Sequence, residues 1–188
     1  MIGVQVVTGP TVEPLTLEEV KGRLRITIAD EDTDLEMLQT ECRALCEAEC
    51  HRAFLTTTFN LTLDDFPRCD PTIRVPRPPL QSVVSVKYFD ATGTEQTIDP
   101  AAYWVATASE PGRIVPVAGY WPAVQCGRPD VVTVQFVAGY ATPSDVPAQA
   151  KKAILVTMAE RRENPTGEVG IPPAARRALD TLEFGDVR

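Results

Sequence analysis

The sequence is poor in the residues that carry most enzyme chemistry and most nucleic-acid binding. Its 188 residues include a single histidine, and aromatic residues make up only 6% of the chain. Lysine and arginine together number 18 against 26 aspartates and glutamates, which gives a formal net charge of −8. Because proteins grip nucleic acid with basic residues that displace counterions, we expect no tight binding to DNA or RNA.

Long apolar runs and targeting signals are also missing. No stretch approaches the roughly 18 consecutive apolar residues that cross a bilayer. The first fourteen residues lack the basic start and apolar block of a secretory signal. We therefore expect a protein made in the cytoplasm, with no membrane association and with its five cysteines as free thiols.

The acidic residues are concentrated in the first third of the chain, where the first helix is predicted. Up to residue 53 there are 11 acidic and 5 basic residues. Thr16 is predicted as the N-cap of this helix, and Glu19 is predicted to reach back to it and form a capping box. We expect the helix to bury Leu17, Val20 and Leu24.

An acidic link follows the first helix and has the alternating carboxylates of a calcium-binding loop. The pattern fails at Leu35, because the sharp turn of such a loop needs glycine there. We expect no calcium site. Instead, Thr33 and Glu36 are predicted to form a second capping box, and the acidic residues from Asp30 to Asp34 suit the positive N-terminus of a helix.

The second helix is predicted from Asp34 to about Ala53 and carries an unusual stripe of cysteines. The residues predicted to share its buried face are Leu35, Leu38, Cys42, Leu45, Cys46, Cys50 and Ala53. A continuous helix cannot wrap successive thiols around a tetrahedral metal ion. Cys50 and His51 lie on different faces, so they cannot act as nucleophile and base. We expect no metal, no cofactor and no enzyme activity.

The middle of the chain changes to the period of two that is typical of β-strands. In the run from 83 to 89, Val84, Val86 and Tyr88 are predicted to share one face. Residues 131–137 are apolar almost throughout, as in a strand covered on both faces. We count six or seven strands, at the spacing of a small sandwich or barrel.

A third helix is predicted to open at Ser144 and to end before Asn164. Its apolar surface is wider than one contact requires, so we expect it to pack against two partners. After a flexible link, Pro172 and Pro173 are predicted to begin a short helix that ends near Leu182.

The segment from 172 to 188 is predicted to be an arm that becomes ordered only against another protein surface. A single chain is expected to leave the apolar residues of this segment exposed to solvent. We expect them to dock against a partner, with the aromatic side chain of Phe184 as the anchor. The candidate partner-binding residues are Arg176, Arg177, Leu179, Leu182 and Phe184.

Helical patterns on both sides of a continuous β pattern indicate one bundle closed by distant segments. We predict an α+β fold, in which N- and C-terminal helices form a bundle that carries an inserted β-sandwich or barrel-like module. The predicted parts are a leader with a helical hairpin, the β-module, the third helix, and a link with the arm: 1–53, 54–141, 142–163 and 164–188.

The order and spacing of several short motifs resemble one protein family over most of the chain, from about Leu15 to Arg162. These motifs are Leu17-Glu18-Glu19-Val20-Lys21, Leu24-Arg25-Ile26, the acidic link from Asp30 to Asp34, Arg77-Pro78-Pro79-Leu80-Gln81-Ser82-Val83, Tyr120-Trp121-Pro122, Phe136-Val137-Ala138-Gly139-Tyr140 and Val146-Pro147. The pattern is similar to the head-tail connector, or adaptor, proteins of tailed bacteriophages, prophages and gene transfer agents.

The resemblance implies a structural virion protein without catalytic residues. It implies a ring, commonly twelve-fold, that sits beneath the portal protein and offers a platform to a stopper or other tail-completion protein. DNA passes through the bore of such a ring without being gripped. Three alternatives stay open at this point: a stopper, a tail terminator, or a binding module unrelated to phages.

Overall fold

The computed structural model describes residues 2–27, 31–164 and 170–182 and confirms the predicted α+β class. The helices are α1 Leu17–Leu24, α2 Asp32–Cys50, α3 Ala148–Glu163 and α4 Pro173–Leu179. The strands are β1 Ile2–Thr8, β2 Thr57–Leu63, β3 Ile73–Val75, β4 Leu80–Phe89, β5 Glu95–Thr97, β6 Tyr103–Ala106, β7 Gly112–Pro116 and β8 Val132–Ala138.

The described residues group into two compact units. The sheet unit comprises residues 2–9 and 56–139, and the helical unit comprises the described residues of 10–55 and 140–185. No helix in the described ranges is both long and apolar enough to cross a bilayer.

The sheet unit contains two antiparallel sheets. One has five strands in the order β1-β2-β8-β4-β5, and the other has three in the order β3-β7-β6. Strand β8 lies at the centre of the larger sheet, and its Val132, Val134 and Phe136 are fully buried. Phe136 stacks on Phe59 of β2 with 5.4 Å between ring centroids. The core of this unit therefore forms around β8, the strand with the most apolar sequence.

Strand β1 was not predicted, because residues 2–8 were expected to form an extended leader. It pairs with β2 along its length, as the edge strand of the larger sheet. Val6 and Val7 are neighbours in sequence and both are exposed, so β1 has no alternation for sequence analysis to detect. Backbone pairing with β2 holds the strand in place.

The predicted shared face of β4 is wrong at Val84. The pairing of β4 with β8 shifts between Val83 and Ser85, which marks a β-bulge. Val84 is therefore 51% exposed, whereas Val86 is fully buried. A bulge adds one residue to one strand only, and this breaks the period of two on which the prediction relied.

Helix α1 begins with the predicted capping box. The backbone N–H of Glu19 donates to Thr16 Oγ1 at 3.2 Å, and the backbone N–H of Thr16 donates to Glu19 Oε2 at 2.8 Å. Val20 is fully buried, as predicted, whereas Leu17 and Leu24 are only partly buried.

The second predicted capping box is wrong. Helix α2 starts at Asp32, Glu31 is its N-cap, and no side chain caps it. Thr33 and Glu36 lie inside the helix and are exposed. An ion pair between Lys21 Nζ and Asp32 Oδ1 at 2.6 Å, together with carboxylates in the first turn, stabilises this end instead. Asp30 lies outside the described residues.

Two buried polar side chains of α2 hold the segment that precedes α1. Gln39 Nε2 donates to the carbonyl of Leu15 at 2.7 Å. Arg43 donates to Glu13 at 2.9 Å and to Glu47 at 2.8 Å, and only 8% of its side chain is exposed. Because both carboxylates pair with the same guanidinium, this charge is buried without being left uncompensated.

One apolar core joins all four helices of the helical unit. Its fully buried residues are Val20, Cys42, Cys46, Cys50, Phe54, Ala150, Ala153, Ile154, Met158 and Ala175. Helix α3 contacts α1, α2 and α4. Its wide apolar surface is therefore covered by more than one partner inside the same unit.

The expectation that a single chain leaves the apolar residues of the arm exposed is wrong for helix α4. Ala175 is fully buried and Leu179 is 1% exposed, and both belong to the core of the helical unit. Leu182 is partly buried and packs against the same core. The expectation is wrong because it treated residues 172–182 by themselves, although α3 has apolar surface left over for α4 to cover.

We predict that Leu179→Ala lowers the free energy of unfolding by about 2–5 kcal/mol, because it leaves a cavity in a fully buried site. Leu182→Ala is the matched control and is expected to cost less, since this side chain already has partial access to water. Urea unfolding followed by circular dichroism measures both losses. Equal losses for the two variants would contradict the packing of α4 described above.

Candidate functional site

The cysteine stripe of α2 is buried, as predicted. Cys42, Cys46 and Cys50 are fully buried. The Cys50 thiol donates to the carbonyl of Cys46 at 3.1 Å, and Cys46 Sγ lies 3.9 Å from Thr157 Oγ1 of α3. Among the described residues, no group of three His, Cys, Asp or Glu side chains could hold a metal ion. The stripe packs α2 against α3.

Burial also suppresses the reactivity of these thiols. Desolvation raises the pKa of Cys42 and Cys50 to about 11, and that of Cys46 to about 12. The thiolate is the nucleophilic form, so at neutral pH these side chains remain protonated and unreactive. His51 follows Cys50 as the left-handed C-cap of α2, and the Cys50 thiol hydrogen-bonds to the backbone.

A basic groove of about 810 Å³ lies between α1 and α3 in the helical unit. Its lining combines apolar side chains, three cations and one carboxylate: Leu15, Leu155, Arg23, Lys151, Lys152 and Glu19. The pKa of Glu19 is lowered, first by the backbone N–H of Thr16 and further by Lys151 and Arg23. The groove therefore presents net positive charge around apolar side chains.

The outward face of α2 is acidic, in contrast to the basic groove. Met37 is 68% exposed and lies on the side of the helix away from the buried Leu35 and Cys42. Asp34 and Glu36 are exposed close to it along the helix. This face therefore combines a flexible apolar side chain with negative charge.

The sheet unit carries exposed aromatic residues near the Tyr120-Trp121-Pro122 motif. Trp121 stacks on Phe66 with 4.9 Å between ring centroids, and its Nε1 donates to the carbonyl of Pro71 at 2.6 Å. Tyr120 is 73% exposed beside them, and Trp104 is 63% exposed on the edge strand β6. Trp121 is thus held in place by packing and a hydrogen bond, whereas Tyr120 and Trp104 are accessible.

The predicted partner-binding residues do not form one exposed surface. Arg176 Nε pairs with Glu49 Oε1 at 2.6 Å, Arg177 is exposed, and Leu179 is buried in the core. Leu182 is half-buried, and Phe184 lies outside the described residues.

Sequence analysis missed the basic groove, although part of its signal was visible. Lys151 and Lys152 are adjacent near the start of the predicted third helix, and Arg23 lies on the first helix. Bringing them together requires the packing of α1 on α3, which joins segments more than a hundred residues apart. Periodicity within one helix carries no information about that contact.

The burial of the stripe predicts how many thiols react in the folded protein. A disulfide reagent at neutral pH should rapidly modify the exposed Cys69 and Cys126, whereas all five cysteines should react in denaturant. A Cys69→Ser/Cys126→Ser variant is the control and should show no rapid reaction while folded. A third thiol that reacts as fast as the exposed pair would contradict the burial of the stripe.

Comparisons with known proteins identify the fold. No protein-family model and no curated protein sequence matches the chain. Solved structures do match it, over nearly the full length of both chains. A chain in the neck of an empty gene transfer agent particle, computed with C6 symmetry, is 24% identical with a TM-score of 0.79, and the match covers 99% of this chain and 97% of that one.

Two further structures agree. A chain in the virion of a native gene transfer agent particle is 22% identical with a TM-score of 0.79, covering 98% and 97% of the two chains. A chain in the neck of a native particle, computed with C12 symmetry, is 19% identical with a TM-score of 0.77, covering 99% and 97%. The protein therefore has the fold of a chain found in the necks of gene transfer agent particles.

Proposed function

We propose that the protein is a structural component of a particle neck, a head-tail connector that links a DNA-filled capsid to its tail. The observation that carries this proposal is the match to neck chains at a TM-score of 0.79 over 99% of this chain and 97% of the other. The likeness therefore extends over almost the whole of both chains and includes both the helical unit and the sheet unit.

Two independent observations support the same conclusion. The motifs between Leu15 and Arg162 resemble those of the connector family. This resemblance in sequence agrees with the structural likeness to neck chains. In addition, burial raises the pKa of the three thiols of α2 and keeps them protonated at neutral pH, so they do not serve as nucleophiles. We infer a non-enzymatic role in the virion.

The proposed assembly is a ring of twelve copies. Neck structures with this fold were computed with C6 and C12 symmetry. A ring uses two different surfaces on each subunit, because each copy contacts the next head to tail. We propose that one end of the ring contacts the portal protein and the other a stopper or other tail-completion protein.

We also propose that the helical unit is a bundle into which the sheet unit is inserted as a sandwich-like module. In support, the described residues of 10–55 and 140–185 form the helical unit, and residues 56–139 between them belong to the sheet unit. Residues 2–9, which contain β1, join the same sheet unit from before the helical segment. Leu80 of one sheet meets Gly112 of the other so closely that an added Cβ would lie 2.4 Å from Leu80 Cδ2. This close approach fits two sheets that pack face to face.

Partner binding by the C-terminal residues remains a proposal in a narrower form. Arg177 is exposed and Leu182 is half-buried, so these two side chains are accessible to a portal or a neighbouring subunit. Phe184 lies outside the described residues and is proposed from the sequence alone. Leu179 and Arg176 contribute by holding α4 on the helical unit.

Negative-stain images of the purified protein, alone and mixed with its portal, test the proposal. We expect rings, with twelve-fold class averages, that stack on the portal. Arg177→Glu should weaken the stacking without preventing ring formation. Binding to the end of a tail tube in place of the portal would favour a tail terminator. A protein that stays monomeric with and without the portal would overturn the proposal.

We further propose that DNA passes through the ring without being gripped. A net charge of −8 disfavours lasting contacts with phosphates, which would slow the passage of DNA. We predict no shift of a DNA duplex at about 100 μM protein and physiological salt, because non-specific DNA-binding proteins have dissociation constants of about 1–100 μM and would bind at this concentration. A basic DNA-binding protein is the positive control. A clear shift by this protein would contradict the prediction.

A further inference from the structure

The basic groove between α1 and α3 contains more positive than negative side chains among the described residues. Within the described chain, the side chains of Arg23, Lys151 and Lys152 form no salt bridge, and Glu19 is the one carboxylate in the lining. Leu15 and Leu155 add apolar surface to the same groove. A partner that fits it therefore needs an apolar side chain flanked by carboxylates.

The outward face of α2 has this chemistry. Met37 is 68% exposed, the most exposed of the large hydrophobic residues of the described helices. Asp34 and Glu36 lie within one turn of it and form no salt bridge with other described residues. Glu41 lies one turn further along the helix, is exposed, and forms a salt bridge with Arg161. The two surfaces thus have complementary charge and complementary apolar content.

We propose that the groove of one copy receives the outward face of α2 from the next copy, and that this contact builds the ring. The inference rests on the proposed function, because it identifies the surfaces through which the subunits of that ring meet. Met37 would enter the groove beside Leu15 and Leu155, and the carboxylates of Asp34 and Glu36 would face Lys151 and Lys152.

The physical roles of the two kinds of contact differ. Methionine is flexible and polarizable, so it fills irregular apolar grooves well. The charge pairs fix the orientation and disfavour contacts between two grooves or between two α2 faces, since these would bring like charges together. A contact between two different surfaces is also the kind that closes into a ring.

The same observations favour a protein occupant over nucleic acid. Glu19 lies among the three cations and would repel a phosphate backbone. Phosphates would bury no apolar surface against Leu15 and Leu155, whereas Met37 would bury apolar surface against both side chains and so stabilise the contact.

Exchanging the charges tests the pairing. One variant carries Lys151→Glu and Lys152→Glu, and a second carries Asp34→Lys and Glu36→Lys. For each variant alone, the dissociation constant of self-association should rise about tenfold or more, because like charges then face each other across the contact. Mixed in equal amounts, the two variants should assemble again, since each acidic groove meets a basic α2 face and each basic groove an acidic one.

The control variant carries Arg68→Glu and Arg74→Glu, two exposed residues of the sheet unit, and changes the net charge by the same amount as the variant with Lys151→Glu and Lys152→Glu. It should associate like the unchanged protein in sedimentation velocity. Circular dichroism checks that all variants are folded. If a folded variant with a reversed groove assembles normally, or if mixing restores nothing, the inference is overturned.

A disulfide between neighbours gives a direct second measurement. In a Cys69→Ser/Cys126→Ser background, Met37→Cys together with Leu155→Cys should give a ladder of covalent oligomers on oxidation. Met37→Cys alone should give nothing longer than dimers. Rings that form without a ladder would refute this interface and leave the proposed function standing, whereas failure to form rings with or without the portal would refute the proposed function itself.

Discussion

The structure depends on covering the apolar surface of α3. Its fully buried side chains, such as Ile154 and Met158, are covered because the segments before and after residues 56–139 meet in one core. Helices α1 and α2 come from one segment, and α4 comes from the other. The entropy lost in closing a long loop grows only slowly with its length, so the intervening sheet unit adds little to the cost of this closure.

The arrangement of the surfaces follows from that core. Because α2 turns its cysteines and Leu35 inward, Met37 and its acidic neighbours are left outward. Because α1 packs on α3, cations from both helices line one groove. The three cysteines of α2 are used for packing, and burial raises the pKa of Cys46 to about 12. The basic groove and the acidic outward face of α2 have opposite charge, which suits the subunit contact proposed above.

Features set by local sequence were predictable, and features set by distant partners were not. The capping box of Thr16 and Glu19 is local, and the cysteines recur at the spacing of one helix face, so the spacing within each helix identified both features. The exposure of Val84 depends on a bulge against β8, and the burial of Leu179 depends on unused surface on α3. The basic groove depends on the contact between α1 and α3. Each of these requires tertiary packing that periodicity does not contain.

The proposed function is that the protein joins a DNA-filled head to a tail. It is tested most directly by deleting the gene in the strain that makes the particles and examining the products by electron microscopy. A connector predicts DNA-filled heads and separate tails that do not join, with joining restored when the gene is supplied again. Normal numbers of complete tailed particles after deletion would contradict the claim.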